Sequence, residues 1–356
     1  MEGCVIMATL KDIAAATGLS IGTVSRVLNN SATEAGISAK TQERVLLAAQ
    51  QLNYTPNKVA RNLKLGRQPK AILFLYANSA QVGNDALMIH PFFSHMVQGV
   101  YTEVARMRGC YLAYMGINQR NRRQLPELLE QTVTGVITFG LMPEDTWTEL
   151  GKRNLPTVSI EPYTQDDGHA VYVDNHMAIT QGLQHLYQLG HRRISFISLP
   201  DGEADRGPMA ERRNAFVTEA MRLGFDETCK VEYVTPAKKS TTHEIEAVRQ
   251  GTHRIFAQEK RPTAILTCHD LSAIGVLEGA RDIGLMVPDE LSVVGIDDID
   301  WAAHTYPPLT TVHIPKEQMG TQAVCMLRRL FRGQQCREQV VRIPTRLIVR
   351  GSTGPA

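Results

Sequence analysis

Cysteine is sparse in this 356-residue chain, and its placement excludes more than its number. The six cysteines (Cys4, Cys110, Cys229, Cys268, Cys325 and Cys336) are scattered, with no C-x-x-C pair. That spacing argues against a disulfide framework or a zinc site and for reduced, buried thiols. No apolar run approaches the roughly 20 residues of a membrane-spanning helix. The opening "MEGCVIMATL" lacks the apolar segment of a secretory signal. The expectation is a cytoplasmic protein with no membrane partner. Met7 is a second candidate start, which would make Met1–Ile6 an extension without function. The G-x-G-x-x-G, P-loop, G-x-S-x-G and H-E-x-x-H motifs are all missing. Nothing therefore points to catalytic residues, a cofactor or an enzyme. His176, His185 and His191 lack zinc-ligand spacing and read as surface or capping residues. The acidic cluster Asp297, Asp298 and Asp300 has no companion His or Glu motif, so no metal is expected.

Charge is also scarce in net terms, at +2 for the whole chain, but it is unevenly divided. The first 70 residues hold nine basic and four acidic side chains, a balance of +5, and the remainder carries −3. A small basic head on a faintly acidic body suggests that the head meets a polyanion. The length predicts more than one domain.

The head, residues 8–56, reads as three short helices. Thr9 followed by Asp12 predicts a capped helix start, with Leu10, Ile13 and Ala14 on one face. Gly18 ends that helix, because glycine tolerates the left-handed backbone a tight turn needs. Ser20 caps a second helix, with Val24, Val27 and Leu28 inward and Ile21, Gly22, Ser25, Arg26 and Asn29 on the opposite face. A third helix follows Ser38, with Val45, Ala48, Ala49 and Leu52 inward. Helices joined this way form a helix-turn-helix unit, whose second helix enters the DNA major groove. Arg26 suits guanine O6 and N7. Ser20, Ser25, Asn29, Ser38, Thr41 and Tyr54 are short donors suited to phosphates. Residues 57–70 form a linker whose helical part, 57–65, is too short to be stable alone. Val59, Ala60 and Leu63 are ringed there by Lys58, Arg61, Lys64, Arg67 and Lys70. This predicts a hinge that folds on DNA, with Leu63 wedged between base steps of the minor groove.

These stretches, "TLKDIAAATGLSIGTVSRVLNN" and "SAKTQERVLLAAQQLNYTPNKVARNLK", closely resemble the lactose/galactose repressor (LacI/GalR) family of bacterial transcription regulators. The resemblance extends along nearly the whole chain. It implies that Ile21, Gly22 and Arg26 contact bases, and that Asn57, Ala60 and Leu63, with Lys64 beside them, form the minor-groove hinge. The turn "NNSATEAGIS" is longer than is usual in the family, which unsettles phosphate contacts from that loop. Ile21 and Gly22 offer little hydrogen bonding, so readout beyond Arg26 falls to apolar contact and DNA shape.

From Ala71 the pattern becomes alternating strands and helices. "AILFLY", "YLAYMG", "GVITFG", "PTVSIE", "ISFISL", "TAILTC" and "LSVVGID" are short apolar runs suited to buried parallel strands. Helical segments such as Ser94–Gly109, Asn175–Gly190, Arg212–Gly224 and Leu271–Gly284 separate them. Repeated βα units predict a doubly wound α/β body over 71–356, with a ligand beyond the strand ends. The resemblance implies two lobes similar to periplasmic sugar-binding proteins of type I, joined by three crossings. Lobe 1 is then about 71–173 plus 316–343, and lobe 2 about 174–315 plus 344–356. Phe92 and Phe93 are candidates to stack on a sugar, or else they begin a core helix. Glu161, His269 and Asp297 end strands. The resemblance implies that they and Arg212, at the opening of a helix, hold sugar hydroxyls. His269 stands where asparagine is more common in the family. Asp270 and Asp298 are expected to cap helices or brace strand ends.

The resulting expectation is a repressor of carbohydrate uptake or catabolism genes. It binds a palindromic operator in double-stranded DNA as a homodimer and is released by a small-molecule effector, a sugar. A corepressor-dependent regulator of the same fold and a sugar-converting enzyme with a DNA-binding head are the alternatives. A transport-type binding protein fits less well, given the basic head and the missing signal. Some members of the family it resembles carry a C-terminal heptad tail that makes tetramers; the end "VVRIPTRLIVRGSTGPA" leaves no room for one, so the resemblance implies a two-fold dimer.

Overall fold

A computed structural model describes residues 9–28, 36–52, 54, 70–77, 90–118, 122–130, 132–162, 168–200, 207–225, 229–237, 240–334 and 339–356. The chain forms two units, Met1–Pro69 and Lys70–Ala356.

In the first unit, α1 (Leu10–Thr17), α2 (Ile21–Leu28) and α3 (Ala39–Gln51) close around one small core. Ile13, Val24, Val27, Val45, Ala48 and Ala49 are buried in it, and Leu10, Ala14, Leu19, Leu28, Ile37 and Tyr54 pack on its rim. At the start of α1, one Asp12 carboxylate oxygen accepts both the backbone N–H and the hydroxyl of Thr9, each at 2.7 Å. The threonine hydroxyl thus donates to Asp12 in the capping box. Gly18 sits at φ 62° and closes α1 with its N–H on the Ala14 carbonyl. That backbone excludes most side chains, so the turn depends on glycine. One inward assignment is corrected. Leu52 is 37% exposed, because the helix ends at Gln51 and Leu52 leaves its apolar stripe.

The second unit carries two six-stranded sheets. The first contains β1 (Lys70–Ala77), β2 (Cys110–Ile117), β3 (Val133–Phe139), β4 (Thr157–Ile160), β5 (Ala170–Val173) and β11 (Val340–Ile343), in the order β2-β1-β3-β4-β5-β11. All its pairings are parallel. The second contains β6 (Ile194–Ser198), β7 (Lys230–Tyr233), β8 (Ala264–Thr267), β9 (Ser292–Asp297), β10 (Thr310–His313) and β12 (Arg346–Ile348), in the order β7-β6-β8-β9-β10-β12. Here only β12 runs antiparallel. Strands β5, β6, β8 and β9 are buried throughout, as parallel strands covered on both faces must be. Every apolar run read as a strand is one. The shorter β5, β7, β10, β11 and β12 were not anticipated.

In each sheet the first strand lies between the second and the third, so the winding reverses beside β1 and again beside β6. A crevice opens at the carboxyl ends of the strands at such switch points. The intervening helices are α4 (Pro91–Ala105), α5 (Leu125–Glu130), α6 (Glu144–Lys152), α7 (Asn175–Gln188), α8 (Pro208–Arg222), α9 (Thr241–Phe256), α10 (Asp270–Asp282) and α11 (Lys316–Phe331). The chain passes between the sheets three times: after β5, between β10 and α11, and between β11 and β12. Two helix starts differ from expectation. Pro91 and Pro208 each occupy the first turn, where a missing N–H costs nothing. Arg212 therefore lies in the second turn of α8 and does not open the helix.

Helices α4 and α11 meet backbone to backbone. A β-carbon on Gly99 would overlap the Glu317 carbonyl, and one on Gly320 would overlap the Met96 carbonyl and the Val100 nitrogen. Overpacking of this kind costs about 1–3 kcal/mol, and more when backbone must move. Gly320→Ala should therefore lower the thermal midpoint of the body by several degrees. A midpoint equal to wild type would contradict the close contact.

Further corrections concern cysteine and histidine. Among the described cysteines only Cys268 is buried; Cys110, Cys229 and Cys325 are half-buried. His191 is neither a surface nor a capping residue. It is buried, and its ring bonds Thr263, Ser292 and the Gly354 carbonyl. It thereby ties the C-terminal segment to the second sheet.

Candidate functional site

The head offers one candidate surface. In α2, Val24 and Val27 take the buried side, which leaves Ile21, Gly22 and Arg26 exposed. Ser25 is half-buried. Ser20 caps the helix: its hydroxyl accepts the Thr23 N–H at 3.1 Å and pairs with the Thr23 hydroxyl at 2.9 Å. Ser38 repeats this arrangement at α3, accepting the Thr41 N–H at 3.3 Å. The Ser20 and Ser38 hydroxyls thus already satisfy helix-end donors, and Thr41 pairs with Ser38. Tyr54 packs its ring on the head core. Asn29 and the hinge residues Asn57, Ala60, Leu63 and Lys64 lie outside the described residues.

In the body, the candidates converge where the strands end. Glu161 follows β4 and is buried, with φ 48°. Its carboxylate accepts the Val173 N–H. Burial, with Glu211 nearby, raises its pKa to about 7, although Val173, Arg212 and Asn175 pull the other way. Arg212 is 3% exposed. Its Nε donates to Asn175 Oδ1 at 2.9 Å, and its Nη1 donates to the Cys268 carbonyl and lies 3.5 Å from Asp297 Oδ1. Asn175 Nδ2 donates to Glu211 at 2.8 Å. Asp297, the last residue of β9, is buried at φ 118°. Burial raises its pKa to about 6 against the pull of Arg212 and Lys316. Glu161 from the first sheet therefore meets Asn175, Glu211, Arg212 and Asp297 from the second.

His269 adds a second cluster. Its Nδ1 accepts the Ser272 N–H and caps α10, and its Nε2 lies 3.4 Å from Glu244 Oε1. Burial first, then nearby His90 and Arg212, lowers its pKa to about 3. His90, at the start of α4, is lowered to about 4 by burial. Both rings are neutral near pH 7. Glu244, in the first turn of α9, is raised to about 8, chiefly by burial. The aromatic pair divides. Phe92 is buried in the core, and Phe93 is half-buried, edge-on to Phe139 at 4.9 Å and tilted over His90 at 4.8 Å.

Asp270 and Asp298 brace strands. Asp270 is fully buried and accepts from the Ile299 N–H and the Thr311 hydroxyl. A β-carbon at Gly295 would strike it. Asp298, at φ 55°, holds Arg350 at 2.6 Å and His313 at 2.9 Å. Lys316, the first residue of α11, donates to the carbonyls of Asp297, Asp298 and Ile314. That one ammonium group satisfies the backbone where two consecutive residues take left-handed conformations.

His90, Asn175, Glu211, Glu244 and Lys316 were not anticipated. Each sits next to or inside the first turn of a helix that follows a strand. That position was a usable signal, since it places side chains at the crevice.

Residues 9–57 match the family described as "Bacterial regulatory proteins, lacI family", and residues 183–353 match the "Periplasmic binding protein-like domain". The ribose operon repressor of Escherichia coli (strain K12) is 29% identical over 353 residues, covering 97% of this chain and all of the relative. The HTH-type transcriptional repressor CytR of the same strain is also 29% identical, covering 97% of this chain and 96% of the relative. A crystal structure of the Lac repressor bound to ONPG in the repressed state superposes with a TM-score of 0.77 at 25% identity. It covers 97% of this chain and 99% of that one. A helix-turn-helix head followed by a two-sheet binding body defines the class: a DNA-binding transcriptional regulator. Within that class the head, residues 9–57, matches the lacI family of bacterial regulatory proteins, and nearly the whole chain is similar to bacterial repressors.

Proposed function

We propose that the chain represses genes of carbohydrate uptake or catabolism and leaves its operator when a sugar enters the body. The observation that carries this reading is the meeting of Glu161 with Asn175, Glu211, Arg212 and Asp297. All of them but the exposed Glu211 are buried, and these polar groups from two sheets converge at the strand ends. Buried charges persist only when hydrogen-bonded or paired, and a polyol supplies both donors and acceptors. The repressor names of the relatives and a structure of the regulator CelR with cellobiose, 27% identical at a TM-score of 0.65, support the same reading.

The proposed division is a head over 8–56, a hinge over 57–70 and a body from 71. The proposed roles are base contact by Ile21, Gly22 and Arg26, minor-groove contact by the hinge, and ligand contact by Phe93, Glu161, Arg212, His269 and Asp297. The working form is a homodimer, with each head on one half-site. Exposed Tyr111 and Tyr114 on the edge strand β2, and exposed Tyr233 on the edge strand β7, suit an interface between copies. The chain works where its operator is, in the cytoplasm, and as a switch rather than a catalyst. Effector coupling equals the difference in ligand affinity between the two states and no more.

The test is binding of the full chain to pseudo-palindromes from the DNA flanking its own gene, at several salt concentrations and with added sugars. Affinity should fall steeply with salt. Arg26→Ala should cost about 1–3 kcal/mol at the preferred site and flatten discrimination between bases. Binding without preference for any such site, in wild type, would refute the repressor reading.

A further inference from the structure

Resting on that reading of the body, we infer that Asn175 is the positioning residue that makes Arg212 follow the lobes. It joins Arg212, on helix α8 of the second lobe, to the first sheet at one of the three crossings. The ligand site therefore changes shape when the lobes rotate.

The crossing contains very little chain. Val173, the last residue of β5, gives its N–H to the Glu161 carboxylate. The next N–H, that of Asp174, bonds the Ile343 carbonyl of β11. Both partners belong to the first sheet or to the turn after one of its strands. The Asp174 carboxylate then accepts the Met177 N–H at 2.8 Å and caps α7, which packs on β8, β9, β10 and β12 of the second sheet. Asn175 is the first residue of α7. Between one residue and the next, the chain thus leaves the bonding of one sheet and enters that of the other. Lobe rotation at this crossing falls on the backbone angles of Asp174 and Asn175, as hinges do at the ends of elements.

The Asn175 carboxamide is 2% exposed and has partners on both sides of that hinge. On the second lobe, its Oδ1 accepts Arg212 Nε at 2.9 Å and its Nδ2 donates to Glu211 at 2.8 Å. On the first, it is a hydrogen-bond partner of the Glu161 carboxyl. An amide has two hydrogens to give, and one is directed toward each lobe. A rotation that carries Glu161 away from α8 must therefore leave a buried amide hydrogen without a partner or turn Asn175, and with it the Nε side of Arg212. The first course is costly in a site that water does not reach. A sugar held by Arg212 then favours one lobe angle over another, and that difference is the coupling between effector and operator.

The experiment titrates the full chain with its operator, with and without saturating ribose, glucose, galactose or cellobiose. The readout is the ratio of the two operator affinities. A variant that is merely less well folded changes both affinities alike and leaves the ratio alone. Asn175→Ala should bring the ratio about fivefold or more closer to one. The sugar should still bind, because Arg212 keeps the Cys268 carbonyl and Asp297. Asn175→Asp retains an acceptor for Arg212 but no amide hydrogen for Glu161. It should lose the ratio as Ala does, with sugar affinity nearer to wild type. Nitroxides at Lys152 and Lys260, one in each lobe, read the lobes without any ligand through double electron–electron resonance. Both variants should widen that distance distribution. A ratio that stays at the wild-type value in both variants overturns the inference, and so does an unchanged width. Variants that no longer bind sugar at all also overturn it, since Asn175 would then support Arg212 and nothing more. If no sugar on the panel shifts wild-type operator binding, the effector reading fails, and the distance measurement decides whether Asn175 ties the lobes.

Discussion

Arg212→Ala will abolish the response to effector while the head still binds operator DNA. Among the described residues Arg212 is the one side chain that touches Asn175, the Cys268 carbonyl and Asp297 together, and through Asn175 it is linked to Glu211. Its removal strands a buried carboxylate and a buried carbonyl. Breaking a buried pair in this way costs about 3–5 kcal/mol. Part of that cost is avoided because Asp297, already raised to about 6, takes up a proton once its partner is gone. The variant should therefore lose more stability at pH 8 than at pH 5. Arg212→Lys should recover some stability but not the response, since an ammonium cannot reproduce the planar reach of Nε and Nη1. Operator titrations with and without sugar separate these outcomes. An unchanged response in Arg212→Ala would remove this residue from the ligand site.

The second large effect is a loss of body stability from pH 6.5 to 9. Glu161 and Glu244 have folded-state pKa values of about 7 and about 8, above the ordinary 4.5. A group raised in this way adds stability that is complete below its unfolded pKa and lost as pH rises through its folded pKa. His90 and His269 act in the opposite sense. Their values are lowered from 6.5 to about 4 and about 3, so their contribution is lost only as pH falls. At pH 6.5 an unfolded histidine is still half protonated, so the two offset a part of the glutamates' loss up to about pH 7.5; beyond that the two glutamates govern the slope. Summed over that window, the loss is on the order of 2 kcal/mol. Both tryptophans, Trp147 and Trp301, lie in the body, so fluorescence-detected denaturation reads this unit alone. Glu244→Gln should flatten the upper half of the slope. Stability that stays level or rises from pH 6.5 to 9 would show that these carboxyls are not held protonated.

What could be read from the sequence follows the range of the interactions. The head was legible because its signals are local: the Thr9–Asp12 cap, Gly18 in its left-handed turn and the Val24–Val27 stripe each act within one helical turn. The long buried strands were legible because burial on both faces leaves an uninterrupted apolar run. β7 was not, because its "KVEY" pattern lies at an exposed edge of its sheet. Glu161, Arg212, His269 and Asp297 were found because they end strands or follow them, or because the family resemblance pointed to them. Their partners Asn175, Glu244 and His90 come from distant turns that only the closed sheets bring together. Phe92 and Phe93 looked alike in sequence, and only the packing of α4 distinguishes them. Leu52 shows the limit of periodicity, which gives the stripe of a helix but not its last residue.

The glycine contact between α4 and α11 has a mechanical consequence. Side chains between helices act as springs that yield by changing rotamer; two backbones in direct touch have none to compress. Helix α11 is therefore coupled rigidly to α4, and its 16 residues make a strut about 24 Å long. Its first residue, Lys316, grips the carbonyls of Asp297 and Asp298. A small displacement of β9's end would thus be passed along the strut with little damping, toward the strands of the first sheet on which α11 packs.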